Sequence, residues 1–193
     1  GDTVYVSGTP TPSRHITGTF HDYVEVWQDS FDESIGTVKA DAVERRCREV
    51  YEKYPNKRFI FHFLQPHYPF VNDDKFRFNY WHNTDEFDYG DDERAKDIWE
   101  AVRKNLADPD EVWPAYRENL EYVMNYVWNL IDEIEGRTVI HSDHGNVMGD
   151  WSWPFPVRIY GHPTGLRLSN LTTVPWAVIL DGRREIVSEE AGI

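Results

Sequence analysis

Ser142-Asp143-His144-Gly145 sets a carboxylate and an imidazole side by side where a short β-branched run, Arg137-Thr138-Val139-Ile140-His141, gives out. That run follows a long helical pattern closing at Gly136, so the pair is expected on the turn at a strand's C-terminal end, with Gly145 freeing the backbone there. In open α/β sheets that end is where ligands bind. Adjacent carboxylate and imidazole donors suit a divalent cation: Zn²⁺ or Mn²⁺, with Ca²⁺ and Mg²⁺ as further candidates. Four residues alone read equally well as a turn Asp beside a surface His. A second strand end supplies His67, in Pro66-His67-Tyr68-Pro69, where the two prolines fix φ and hold the imidazole in a defined direction. A third candidate is His162, in Gly161-His162-Pro163.

The surrounding sequence must bring these residues together. Thr3–Ser7 reads as a strand, followed by a Gly/Thr/Pro loop over 8–12 and an irregular acidic stretch over 24–32. Residues 37–54 read as a helix whose apolar face is Val38, Ala42, Val43, Val50 and Tyr54. Arg58–Gln65 is apolar enough for a strand buried on both faces. A polar and aromatic excursion over 71–92 leads to a helix over 92–106. The longest helix, over 111–134, carries Tyr116, Leu120, Val123, Val127, Leu130 and Ile134 on one stripe. Residues 151–163 read as a Trp/Pro-rich loop, and Thr173–Leu180 as a last strand. This order predicts one α/β domain over 1–193, a mostly parallel sheet flanked by helices. The ends of the strands carrying His67 and Asp143 then share a crevice if both run parallel.

The 193 residues need no disulfide to stabilise a core, and the single Cys47 excludes an internal one. The net charge of −14 argues against nucleic-acid binding through a basic surface. Arg outnumbers Lys 14 to 6, a balance that fits a salt-adapted protein and equally an ordinary acidic one. A substrate anion would have to be held locally by metal, Arg and His against this field. No apolar run approaches a membrane span and no signal-peptide pattern opens the chain, so a cytoplasmic protein is expected.

Several blocks in order resemble the alkaline phosphatase and sulfatase superfamily. Phe61 through Pro69 (FHFLQPHYP) is similar to the sulfatase strand ending in a "PHxPY"-type motif. Tyr116 through Ile134 is similar to the helix before the metal strand, and Val139 through Asn146 resembles the "TSDHG" element. Tyr160-Gly161-His162-Pro163, followed by Val174-Pro175-Trp176, resembles the closing "H…VPW" segment. Within the superfamily the chain looks closest to sulfatase-like proteins of haloarchaea. The resemblance implies an alkaline-phosphatase-like fold, with Asp143 and His144 as metal ligands. It implies that His67 contacts the substrate anion or serves the leaving group, with His162 close to metal or anion. The implied reaction is hydrolysis or transfer of a sulfate or phosphate ester, on a small molecule or a glycan.

Two features depart from the superfamily. Its first strand carries metal-binding Asp and is followed by the nucleophile; here Pro10-Thr11-Pro12-Ser13-Arg14 fits the sulfatase signature only at Pro12 and Arg14, because Pro10 occupies the nucleophile's place. The chain therefore reads as the C-terminal two-thirds of a member, with a homo-oligomeric or completing chain as a possible partner. Thr9, Thr11 and Ser13 remain candidate hydroxyls, Arg14, Arg158 and Arg167 candidate anion contacts, and Trp151, Trp153 and Phe155 candidate walls of a leaving-group pocket. A second reading is a non-catalytic scaffold that binds an anionic ligand or partner, and a third is a structural domain with scattered histidines.

Overall fold

The computed structural model describes the chain except residues 13–15, 17, 19, 79–80, 84–87, 90–94, 153, 155, 181 and 189–193; residues 81–83, 88–89 and 180 are described by their backbone only. The elements in order are β1 (Thr3–Ser7), β2 (Asp22–Glu25), α1 (Val26–Ser30), β3 (Phe31–Asp32), β4 (Thr37–Val38), α2 (Ala40–Lys53) and β5 (Arg58–His62). A 3₁₀ turn (Asp74–Phe76), β6 (Trp81–Asn83), β7 (Asp88–Tyr89), α3 (Ile98–Arg103) and α4 (Pro109–Ile131) follow. The chain closes with β8 (Thr138–His141), β9 (Val147–Ser152), β10 (Val157–Gly161), α5 (Ser169–Thr172) and β11 (Trp176–Leu180). Among the described residues no helix is long and apolar enough to cross a membrane.

The architecture is mixed α/β, and its parallel part is small. β1 lies between β2 and β5, in register Val4 to Asp22 and Val4 to Phe59, and both pairings are parallel. Every other described pairing is antiparallel: β3 with β4, β6 with β7, β9 with β10, and β8 with β11. The expected mostly parallel sheet is thus corrected to one parallel triplet and several short antiparallel pairs. The strand bearing Asp143 is hydrogen-bonded to β11 rather than to the sheet that bears His67. β5 is shorter than expected and only partly covered, Ile60 being exposed, and among the described residues no strand is hydrogen-bonded along its second edge. The stretch taken for a loop over 151–163 is largely the β9–β10 hairpin, whose first strand alternates in burial from Val147 onward. The Trp and Pro content of the stretch hid that alternation in the sequence.

Two apolar clusters make the core. In one, Val4 and Val6 of β1 meet Val26 and Trp27 of α1, Val43, Cys47 and Val50 of α2, and Leu130 of α4. In the other, Phe70, Phe76 and Phe78 meet Ile98, Trp99 and Val102 of α3 and Val112 and Ala115 of α4. α4 therefore runs from one cluster to the other. Asp108 caps its N-terminus by accepting from the Asp110 N–H, and Pro109 sits in the first turn, where its missing donor costs nothing. Its buried residues are Val112, Ala115, Asn119, Val123, Leu130 and Ile131: Val123 and Leu130 lie on the expected face, while in the first half the stripe sits one position off, Asn119 being 3% exposed and Leu120 39%. A polar residue has displaced a leucine from the interior, for a reason visible in the site.

Cys47 is wholly enclosed in the first cluster, and burial pushes its thiol well above the usual range. Its reaction with an aromatic disulfide reagent is expected to be at least about a hundredfold slower in the native protein than in denaturant. Equal rates, followed by absorbance, would mean that α2 does not pack as described.

Candidate functional site

β5 ends at His62, and the chain passes through Leu64 and Gln65 into the Pro66–Phe70 loop. Pro66 and Pro69 both follow cis peptide bonds and neither has an N–H to donate. A buried turn of this kind must find donors elsewhere for its carbonyls. Side chains supply them one after another. The Asn119 amide donates to the carbonyls of Pro66 (3.3 Å), His67 (3.1 Å) and Pro69 (3.4 Å), and its own oxygen accepts from the Val71 N–H (3.1 Å). The ring of His67 donates from Nδ1 to the Tyr68 carbonyl. Arg77 reaches the carbonyls of Phe70 (2.6 Å) and Val71 (3.4 Å). Every carbonyl from Pro66 to Val71 is thereby engaged, which fixes the backbone under His67.

The second strand end lies beside the first. The rings of His67 and His162 are 5.3 Å apart edge to face, and those of His162 and His144 are 4.4 Å apart. His144 Nε2 is 3.8 Å from Asp143 Oδ2. The four residues picked out at separate points of the sequence thus form one continuous chain of contacts, although β5 and β8 belong to different sheets. Asp143 is the outermost, 73% exposed, and its charge acts on Tyr5, His62, His67, Tyr116 and His162.

The hydrogen bonds fix how the imidazoles are protonated. A carbonyl only accepts, so the contacts of His67 Nδ1 with Tyr68 O and of His144 Nδ1 with Gly145 O (2.9 Å) put the proton on Nδ1. His162 Nδ1 donates to Asn146 Oδ1 (2.8 Å), while the Asn146 amide donates to the Tyr116 hydroxyl (3.0 Å). All three rings then present an Nε2 lone pair, the form in which histidine accepts a proton or binds a metal. Burial, with the neighbouring His67 and His144 rings, pushes His162 down to about 4. Burial also holds His67 below the usual range, so both are neutral at pH 7.

Two glycines set the approach of the elements. Gly145 takes no unusual φ; a Cβ there would collide with the Asn170 carbonyl of α5, to whose next residue, Leu171, the Gly145 N–H donates (3.0 Å). Its value is close packing rather than the backbone freedom expected. Gly161, at φ 78°, lies so close to Trp99 that a Cβ would stand 2.7 Å from Cγ, and this contact seats His162 against α3.

His67 and His162 border a cavity of about 530 Å³, within the range that takes a small organic ligand. Its walls include Tyr68, Trp99, Tyr160 and three charged residues missed in the sequence, Lys96, Asp97 and Arg103. The indole N–H of Trp99 is buried without an acceptor among the described residues. The local signal for this element was present: Asp97 caps α3 through the Glu100 N–H (2.7 Å) and Glu100 accepts from the Lys96 N–H (2.6 Å), a capping-box pattern ahead of an apolar run.

Other candidates fall away from this centre. Trp151 is 60% exposed and lies under the Arg158 guanidinium, whose Nη1 also donates to Gly149 O, so neither borders the cavity. Arg167 is exposed on the segment before α5. Trp153, Phe155, Ser13 and Arg14 lie outside the described residues. The Thr9 and Thr11 hydroxyls contact each other at 3.3 Å. His62 bonds the Tyr5 hydroxyl through Nδ1 (2.7 Å), consistent with a structural part. The His141 ring lies tilted against that of Trp176, with centroids 5.5 Å apart.

For a metal, the fit is partial. Two donors on a tetrahedral centre with bonds of ~2.1 Å stand about 3.4 Å apart, near the spacing of Asp143 Oδ2 and His144 Nε2. Among the described residues, however, no three His, Cys, Asp or Glu side chains are arranged to hold an ion. Comparisons with protein-family models, curated proteins and solved structures found no match to this chain.

Proposed function

We propose that this chain acts on a sulfate or phosphate ester as a metal-dependent hydrolase or transferase of alkaline phosphatase and sulfatase type. The observation that carries the reading is the run of contacts Asp143–His144–His162–His67, of which His162 and His67 border a ligand-sized cavity. Asp143 and His144 are the residues that would hold a divalent cation. Such an ion supplies charge neutralisation to the ester oxygens and acidifies bound water. His67 and His162 are neutral and carry their proton on Nδ1, so at Nε2 they accept a hydrogen bond or proton from an attacking water or hydroxyl. They add no positive charge. In a chain of net charge −14, Lys96 and Arg103 on the cavity wall are the side chains placed to attract an anion besides the cation.

A second reading, an anion-binding scaffold without turnover, is favoured by one observation. Cys47 is sealed in the core, and the paired Thr9 and Thr11 hydroxyls do not border the cavity. The two readings separate in one assay, using chromogenic phosphate and sulfate monoesters in high salt with and without added Mn²⁺ or Zn²⁺. Hydrolysis that needs the cation and falls by about 10²–10⁴ in His67→Ala is the result expected of the hydrolase. Binding of inorganic phosphate without turnover would establish the scaffold, and neither binding nor turnover would sink both.

A further inference from the structure

We propose that one face of α4 positions both site histidines, Asn119 through the backbone beneath His67 and Tyr116 through Asn146 to His162. The roles rest on the ester-hydrolase reading only in calling the two rings catalytic; the positioning itself stands on geometry. Asn119 and Tyr116 are three residues apart and so lie one turn along the same side of the helix. Each ends a separate hydrogen-bonded path. From Asn119 the path goes to the Pro66, His67 and Pro69 carbonyls, the segment that carries the first imidazole. From Tyr116 it goes to the Asn146 amide at 3.0 Å, and from Asn146 to His162 Nδ1 at 2.8 Å.

Neither residue is free to turn. Asn119 is buried, with oxygen and nitrogen both engaged, so its amide has one orientation. Tyr116 is held in the second cluster, stacked on Trp113 at 5.9 Å and flanked by Trp99 and Phe70. Its hydroxyl accepts from the Asn146 Nδ2, and in that orientation Oδ1 faces His162 and keeps the ring's proton on Nδ1. The two rings come from a loop and a hairpin end that share no ladder, and α4 reaches the supports of both through side-chain hydrogen bonds. A polar Asn in the middle of an otherwise apolar stripe would be a defect in a helix serving only as core.

The test is ring ¹⁵N NMR of the full chain at about pH 8, above the ordinary imidazole range, with His67→Gln and His162→Gln to assign the signals. The parent is expected to show both rings protonated on Nδ1. Asn119→Ala should shift or broaden His67 and leave His162 in place; Tyr116→Phe should mix the two tautomers of His162 and leave His67 in place. Val123→Ala, a buried α4 change touching neither path, should move neither ring. A merely structural role would move both rings together or neither, and either result overturns the proposal, as would a parent His162 protonated on Nε2. Tyr116→Phe removes one oxygen, so its arm decides the matter even if Asn119→Ala does not fold. A parallel titration with inorganic phosphate separates the two ideas: rings that respond as expected in a chain that binds no phosphate would sink the ester reading and leave the positioning intact.

Discussion

A chain carrying Asp143→Ala and His144→Ala together is expected to bind Mn²⁺ or Zn²⁺ at least about a hundredfold more weakly than the parent. The two donors differ in kind. Asp143 is exposed, with one carboxylate oxygen accepting from the His144 N–H (2.9 Å), which leaves the other turned to the His144 ring. His144 has its Nδ1 proton occupied by the Gly145 carbonyl, so the ring is oriented before any ion arrives. A ring already oriented would lose less freedom on meeting an ion. The third and fourth positions would fall to water and substrate, or to His162, whose ring is next in line. Calorimetric titration with elemental analysis reads the outcome. Equal affinity in the double variant would mean that the pair is a turn Asp beside a surface His, and the hydrolase reading would lose its cation.

Gly145→Ala is expected to cost about 2–4 kcal/mol of stability, or a fall in Tm of roughly 5–15 °C for a chain of this length. Only close approach is at issue. The new methyl would stand against the Asn170 carbonyl oxygen and Leu171, so α5 and the turn after β8 must move apart and the Gly145 N–H bond to Leu171 must stretch or break. Gly165→Ala is the control: it has φ 86° but nothing within 4 Å of the added carbon, so it carries only the backbone penalty of about 1 kcal/mol. The displaced turn carries His144, so Gly145→Ala should also loosen the contact of His144 with His162. A Tm within about 1 °C of the parent, by calorimetry, would show that α5 does not sit against this turn.

His67, Asp143 and His144 were legible because strand ends have a local signature: an apolar or β-branched run stopping at Gly or Pro puts the next residues at an edge, whereas His162 was picked out at the end of a stretch read as a loop. Their convergence was not legible through the sheet, since β8 pairs with β11 and not with the parallel triplet. Strand pairing depends on partners far along the chain, and the run over 138–142 fits either neighbour equally well. Asn119 failed for another reason. Hydropathy ranks it outside and Leu120 inside, whereas the loop over 66–71 needed donors that its prolines cannot provide, and the nearest helix supplied one. Lys96, Asp97 and Arg103 escaped because a solvated charge and a cavity-lining charge have the same sequence appearance.

The unbroken side-chain capping of the turn under His67 also has a consequence for how this protein tolerates change. The instructions for that turn are stored remotely, at Arg77 and at Asn119, 52 residues away from His67. Variation among exposed residues between them, away from the core faces of α3 and α4, leaves the imidazole where it is. A change at either remote donor strands several carbonyls at once. In a randomised library selected for a working site, those two distant positions should therefore tolerate fewer residue types than most of the turn they hold.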